Sequence, residues 1–534
     1  MYRIHEIKLG LEEDKKTIPE KIKKKLGIQS EISDYKIVKE SIDARDKGDI
    51  KYIYTVDFET DAAGLELPKA PDMSYQYPIS GTKKLEERPI VAGFGPCGMF
   101  AALLLSEMGY APIVLERGKR ISERIEDVER FWRDGILNEE SNVQFGEGGA
   151  GTFSDGKLTT GIKDKRIRKV LEELVCAGAN EEISYKQKPH IGTDVLRDIV
   201  KNIREKIIAN GGEILFDTRL DGIKLDGDRL VSVIVSSTSS NDFNEYNFYN
   251  KNSDDNVENF NRVLREIKTE NLVLAIGHSA RDTIRVLNKA GILMSQKQFS
   301  VGVRIEHTQE LINVSQYGKN ANKNLPPAEY KLVHRLDDGR GVYTFCMCPG
   351  GEVIVASSQA EGVVTNGMSN SARSGKYANS AVLVDVRTSD FESSDPLSGL
   401  IFQEKYEKLA YENANQKYEA PQTTWKEFET NAKDALPVIN SLPSFVAEGI
   451  KMAMPHFARK LRNFDAPDAK IYAIESRSSS PVRIDRDENF ECNITGIYPG
   501  GEGAGYAGGI MSASVDGIKI AEEIIKKFEK FSAK

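Results

Sequence analysis

Two glycine-rich loops near opposite ends of the chain, Gly93-Phe-Gly-Pro-Cys-Gly98 and Gly500-Gly-Glu-Gly-Ala-Gly505, most constrain what it can fold into. In the first, Gly93, Gly95 and Gly98 permit a tight turn, close approach of backbone to a pyrophosphate and close packing of helix on strand. The apolar run Pro89-Ile-Val-Ala92 reads as a strand entering this loop, and Met99 to Leu105 as a helix leaving it. Pro96, followed by Cys97, suits a first helical turn, where free amides and the helix dipole attract phosphate. A second strand, Pro112-Ile-Val-Leu115, ends in Glu116-Arg117. Glu116 follows Gly93 at close to the spacing at which an acid accepts hydrogen bonds from ribose hydroxyls. The first loop alone suits NAD or FAD, and the second turns the expectation to FAD.

The chain has 534 residues, 40% of them hydrophobic, which predicts two to four domains. No apolar run is long enough to cross a bilayer, and the start lacks the apolar core of a signal peptide. The five cysteines form neither a CxxC nor a secreted disulfide framework, so a cytoplasmic location is expected. A net charge of -8 argues against nucleic acid as a partner, and no membrane partner is expected. No His/Cys spacing suggests a metal.

Residues 1–80 read as a separate α+β unit, ferredoxin-like in pattern, with strands at Arg3–Leu9, Asp34–Glu40 and Tyr52–Phe58 and a helix at Ile18–Leu26. Its chemistry is silent, and a protein partner is the expectation it raises. A polar stretch, about 236–261, dense in Ser, Asn and Asp, is expected to be a disordered surface insertion.

The densest local signal is Asn142-Val-Gln-Phe-Gly-Glu-Gly-Gly-Ala-Gly-Thr-Phe-Ser-Asp-Gly-Lys157. Glycines there let amides converge on an anion or let backbone lie flat against a planar ring, with Gln144, Gly148, Gly149, Gly151, Thr152 and Ser154 as flavin contacts. Lys157 places a positive charge near the flavin or a substrate anion, or is a solvated lysine. Ala275 and Gly277 close the strand Leu272–Ile276, with Leu220 on a neighbouring strand, and Ser279 caps a helix from Ala280 to Ala290. His278 meets the cofactor or bonds a loop carbonyl. In the rear loop Glu502 suits the ribityl hydroxyls, while Gly509 and Ile510 open a helix whose dipole favours reduced flavin.

These segments, with Gly277-His-Ser-Ala-Arg-Asp282, Gly302-Val-Arg-Ile-Glu-His307, Phe345-Cys-Met-Cys-Pro-Gly-Gly351, Thr365-Asn-Gly-Met368, Ser479-Ser-Pro-Val-Arg-Ile484 and Tyr498 to Ile510, resemble the FAD-dependent, NAD(FAD)-utilising dehydrogenase family within the glutathione-reductase-like flavoproteins. The resemblance runs from about residue 30 to the C-terminus and implies bound FAD. In the wider superfamily the second loop often ends in Gly-Asp, a place Glu502 takes here.

The expected fold is α/β: a discontinuous Rossmann-like FAD-binding domain (81–298 and 470–534), an inserted α+β substrate domain (299–469) and the N-terminal unit. Arg304, Glu306 and His307 are its catalytic candidates, Arg304 and Glu306 on one strand face, either as an ion pair or as an acid/base site. Cys346 and Cys348 share a face if their segment is a strand, and read first as buried thiols, since a bridge two residues apart is strained. No second complete GxGxxG unit occurs, so NAD(P)H is expected only as a transient donor. The functional expectation is an oxidoreductase exchanging hydride between flavin and a small-molecule substrate; a monooxygenase and a non-catalytic redox sensor are the alternatives.

Overall fold

Runs apolar on both faces, such as Ile90-Val-Ala92 and Ile113-Val-Leu115, fit only a sheet covered on both sides. The computed structural model, which describes residues 1–237, 262–319 and 324–532, places them in a five-stranded parallel sheet. The strand order is Ile497–Pro499, Leu272–Leu274, Ile90–Ala92, Ile113–Leu115, Glu213–Leu215. Alternate residues Val91, Val114, Val273 and Tyr498 pack into the cluster formed with helices Pro96–Glu107, Thr193–Ala209 and Ile510–Lys527. Their neighbours Ile90, Ala92, Ile113, Leu115, Leu272 and Leu274 pack instead with a three-stranded antiparallel sheet, Thr218–Asp226, Arg229–Ser237 and Val263–Lys268.

This sheet order brings the two glycine loops together. The last strand, Ile497–Pro499, pairs with Leu272–Leu274, which itself pairs with Ile90–Ala92, so both loops open at the carboxyl end of one sheet. The helices that follow them pack so closely that a Cβ on Gly517 would lie 2.0 Å from the Cys97 carbonyl oxygen. The expected insertion begins inside a strand, since Ser236 and Ser237 belong to Arg229–Ser237. Residues 238–261 of that expectation lie outside the described residues.

The second large layer is a six-stranded antiparallel sheet in the order Val333–Arg335, Gly341–Cys348, Tyr377–Val386, Phe299–Thr308, Lys470–Glu475, Gln422–Thr424. Phe299, Val301, Val303 and Ile305 face an apolar layer that includes helix Ser444–Lys460. Arg304 and Glu306 alternate to the opposite face, where the hairpin Glu352–Val355/Thr365–Met368 lies against Arg304. Because Lys470–Glu475 pairs with Phe299–Thr308, the boundary expected at residue 469 falls too early; this sheet extends through Glu475.

At the N-terminus, strands Tyr2–Gly10, Ile32–Asp43 and Lys51–Thr60 form an antiparallel sheet with helix Ile18–Leu26 on it, around Ile4, Ile7, Ile22, Tyr54, Val56 and Phe58. A ferredoxin-like unit needs a second helix and a fourth strand. Neither is present among the described residues 1–80, so the unit is a smaller α+β sheet.

Candidate functional site

A single cleft runs along the carboxyl end of the parallel sheet and under the antiparallel layer. At its front, Gly93 adopts a φ of 100° and a Cβ there would sit 2.4 Å from the Ala275 carbonyl oxygen, so only glycine allows the two strands to approach. Gly98 does not line the cleft; it is the packing glycine, with a built Cβ 2.0 Å from the Gly93 carbonyl oxygen. Gly95 caps helix Pro96–Glu107 without any side-chain bond to its amides.

Glu116 is buried, and its carboxylate accepts from the amides of Phe94 (2.8 Å), Gly118 (2.9 Å) and Gly146 (2.9 Å). It therefore ties the first loop to the central glycine run while still lining the cleft. Arg117 is anchored by Asp282 (3.0 Å) and Glu140 (2.9 Å), with its guanidinium 4.1 Å from the centre of the Phe145 ring. Leu220 and Ala275 line the same stretch.

The central glycine run lies against the first loop, where a Cβ on Gly149 would come 2.9 Å from the Gly95 Cα. Gln144, Gly149, Gly151, Ser154 and Lys157 line the cleft. Gly148 and Thr152 do not. A Cβ on Gly148 would meet the Thr152 hydroxyl at 2.3 Å, and the Thr152 carbonyl accepts from the Thr193 hydroxyl at 2.6 Å, so both positions pack the loop. The loop is also held by residues that sequence reasoning missed. Fully buried Arg124 donates to the carbonyls of Asn142, Val143 and Glu147, and buried Glu147 pairs with Arg204 at 2.9 Å. Neither has a local signature, since each partner is far along the chain.

At the rear, Gly277, His278, Glu502, Gly509 and Ile510 line the cleft. Gly509 caps helix Ile510–Lys527 without a side-chain bond to the helix amides, while its own amide donates to the Glu502 carboxylate at 3.3 Å. Burial pushes the Glu502 carboxyl up to about 7. Burial, with Arg477 and Arg281 nearby, holds the His278 imidazole down to about 3, so it is neutral. Its Nε2 lies 3.9 Å from the Glu502 carboxylate, and its buried Nδ1 has no partner among the described residues. Ser279 does not cap the next helix, which starts at Arg281; its hydroxyl accepts from Arg477 at 3.0 Å.

The far wall comes from the antiparallel layer (Phe345, Cys346, Cys348 and Glu475) and from the hairpin on it (Thr365, Asn366 and Gly367). Lys157 reaches it, bonding Asp155 at 2.8 Å and the Met347 carbonyl. Arg304, Glu306 and His307 do not line the cleft. Arg304 is fully buried behind the wall and donates to Glu475 (3.0 Å), Asn379 (3.0 Å), Asn366 (3.1 Å) and the Cys346 carbonyl (2.6 Å). Glu306 bonds Tyr472 at 3.4 Å, and burial raises its carboxyl. His307 points into the opposite, apolar layer, where its Nε2 bonds the Phe464 carbonyl at 2.7 Å and burial holds it neutral, down to about 4. Strand alternation alone separates it from Arg304. Glu475, the carboxylate of this layer that does reach the cleft, was missed because its partner is 171 residues away.

The cleft fits a long dinucleotide. Two helix N-termini without side-chain caps open into it, glycines stand where a Cβ would close it, and a buried imidazole nitrogen beside it lacks a partner among the described residues. Residues 298–478 match the family described as FAD-dependent protein, C-terminal domain-like, and residues 1–59 match a domain of unknown function, DUF8436. A protein of Clostridium beijerinckii named only as an uncharacterized protein is 44% identical, the alignment covering 99% of each chain. Among solved structures, an FAD complex of glycerol-3-phosphate dehydrogenase from Bacillus halodurans is 12% identical with a TM-score of 0.36, covering 83% of this chain and 65% of its own. Glycine oxidase from Bacillus cereus is 10% identical with a TM-score of 0.32, covering 83% and 99%. The FAD-dependent domain match makes FAD the cofactor.

Proposed function

For a chain that belongs to the family of the Clostridium beijerinckii protein, we propose an FAD-dependent oxidoreductase that exchanges hydride with a small organic substrate in the cleft between the parallel sheet and the antiparallel layer. The observation that carries this reading is the continuity of the cleft from the two glycine loops to a separate wall of thiols, amides and one carboxylate. Bound FAD supplies the two-electron chemistry. Glu116 and the first helix N-terminus hold the adenosine and pyrophosphate half, and Glu502, His278 and the second N-terminus hold the flavin half. Lys157, fixed by Asp155 and the Met347 carbonyl, borders the substrate side of the cleft with one N–H to spare. Glu475, oriented by Arg304 and by Thr365 at 3.2 Å, is the group placed to hold or accept a proton there.

Burial raises the Glu475 carboxyl while Arg304 opposes that rise. Nicotinamide in this reading is a visiting donor. The test is anaerobic mixing of the FAD-bound protein with NADH, NADPH and panels of amino acids and hydroxy acids, following the flavin absorbance. Bleaching by one class is expected; no bleaching by any donor overturns the reading.

A further inference from the structure

Helix Ile18–Leu26 covers one face of the N-terminal sheet, and the other face looks onto a cavity of about 500 Å³ shared with the nucleotide-binding unit. That volume is in the range of small-molecule sites. Both outer strands lose register at the rung that roofs it. On one side His5 and Glu6 together oppose Thr55 of the central strand, between the pairs Ile4/Val56 and Ile7/Tyr54. On the other, Val38 is the extra residue between the pairs Ile37/Val56 and Lys39/Thr55. Glu6 takes a φ of 56°, a left-handed conformation that a residue with a Cβ adopts only when the pairing around it imposes it. Bulges re-aim side chains, and these two gather His5, Val38 and Lys39 around Thr55 in the cavity wall. The His5 Nδ1 lies 3.2 Å from the Thr55 hydroxyl.

The charge of the cavity is one-sided. No carboxylate lines it, whereas Arg3, His5, Lys39 and Lys186 do. Asp57 neutralises Arg3 at 2.7 Å, and Glu182 pairs with Lys186. Lys39 is exposed and forms no ion pair among the described residues, so its ammonium is free to meet a ligand. Across the junction, Thr159 and Ser184 add hydroxyls. The floor is apolar: Leu158, Ile183 and Met511 are buried in the main core, and Ile167 and Leu171 pack against it. A free cation with hydroxyls above an apolar floor matches an anion carried on an apolar body. Leu158 follows Lys157 and Met511 follows Ile510, both cleft residues, so the cavity adjoins segments that build the cleft.

We propose that this junction is a second ligand site, separate from the dinucleotide cleft, which takes a small organic carboxylate with an apolar chain or ring. The carboxylate pairs with Lys39 beside His5 and Thr55, and the apolar body covers the floor. Bound ligand thereby ties the N-terminal unit to the nucleotide-binding unit. The site stands independently of the reaction proposed above.

The test titrates the FAD-bound full chain with octanoate by isothermal titration calorimetry, with octanol as the neutral probe of equal length. Saturable binding of one octanoate per chain is expected, with octanol weaker by about tenfold or more. Lys39→Glu should weaken octanoate by about tenfold or more, and Lys39→Arg should restore it. Lys8→Glu, at an exposed lysine of the same sheet outside the cavity, should leave binding unchanged. Octanoate should also slow limited proteolysis within residues 61–74 of the unaltered protein, and not of Lys39→Glu. Absence of saturable binding overturns the proposal, as does octanol binding as tightly as octanoate. Octanoate binding that Lys39→Glu leaves intact also overturns it, since no residue of 1–60 lines the cleft and the probe would then sit elsewhere. If Lys39→Glu does not fold, the octanoate–octanol comparison and the proteolysis of the unaltered protein decide.

Discussion

At the scale of single residues, the glycines of the first loop were legible because their requirement is local: a turn, a phosphate approach and a helix packed on a strand. Gly98 shows how strict that is. A methyl group there would press on the Gly93 carbonyl oxygen, which belongs to backbone that the parallel sheet fixes. Gly98→Ala should therefore cost about 1–3 kcal/mol in urea unfolding and lower the FAD content of the purified protein. Glu502 makes a second prediction. Its carboxyl rises to about 7 in the folded protein, above its unfolded value, so the fold favours the protonated form. That stability is fully present below the ordinary carboxyl range and is lost as pH climbs through about 7. The side chain is 28% exposed, so the FAD-free protein should lose only about 1–2 kcal/mol between pH 5 and 8. Glu502→Gln should flatten that slope, and urea titrations at the two pH values check it. His307 and Arg304 mark where local reading stops. Alternation put them on opposite faces, but which face meets a cleft depends on strands and helices far along the chain.

Among elements, the joint between the two layers is a buried triad. Glu407 of helix Ser398–Asn413 accepts from Arg281 at 2.7 Å and from Arg477 at 2.7 Å, and the two guanidinia hold its carboxyl far below the usual range. Arg281 begins a helix beside the parallel sheet, and Arg477 follows the last large strand of the antiparallel layer and lines the cleft. Glu407→Gln would leave two buried cations facing a neutral amide, at a cost of about 3–5 kcal/mol. Glu404→Gln, which breaks the half-exposed pair with Arg285, should cost under about 1 kcal/mol. Thermal unfolding separates the two outcomes. The sign in pH follows from the depressed carboxyl: the triad's contribution is present above the ordinary carboxyl range and fades only on deep acidification. None of these three residues was legible as a partner, because each belongs to a different, distant segment. The bulges opposite Thr55 were hidden for the same reason: a strand's register is written in its neighbour.

At the scale of the whole molecule, the order strand, helix, strand, acid sufficed to foresee a parallel sheet, and the last strand returns to that sheet just before the second glycine loop. What composition could not give was how the N-terminal unit sits. No residue of 1–60 lines the cleft. The unit docks through Glu40, whose amide donates to the Tyr185 carbonyl at 2.8 Å and whose carbonyl accepts from the Gln187 amide at 2.8 Å. Lys15 bridges the junction, bonding Glu40 and Glu182 at 2.9 Å each. Tyr75 pins the following segment, its hydroxyl 2.8 Å from Glu522 on the C-terminal helix. With the exposed bonds of Lys47 to the Ser315 carbonyl, Tyr52 to the Asn324 carbonyl and Asn324 to the Leu11 carbonyl, these contacts are still weak beside the buried triad, so this junction should open first. Lys15→Ala is expected to raise the rate of limited proteolysis within residues 61–74 several-fold. FAD content and the unfolding temperature of the remainder should stay unchanged. Loss of FAD in that variant would show that the N-terminal unit supports the cleft across the 182–190 segment, where Lys157 pairs with His190, instead of merely resting on it.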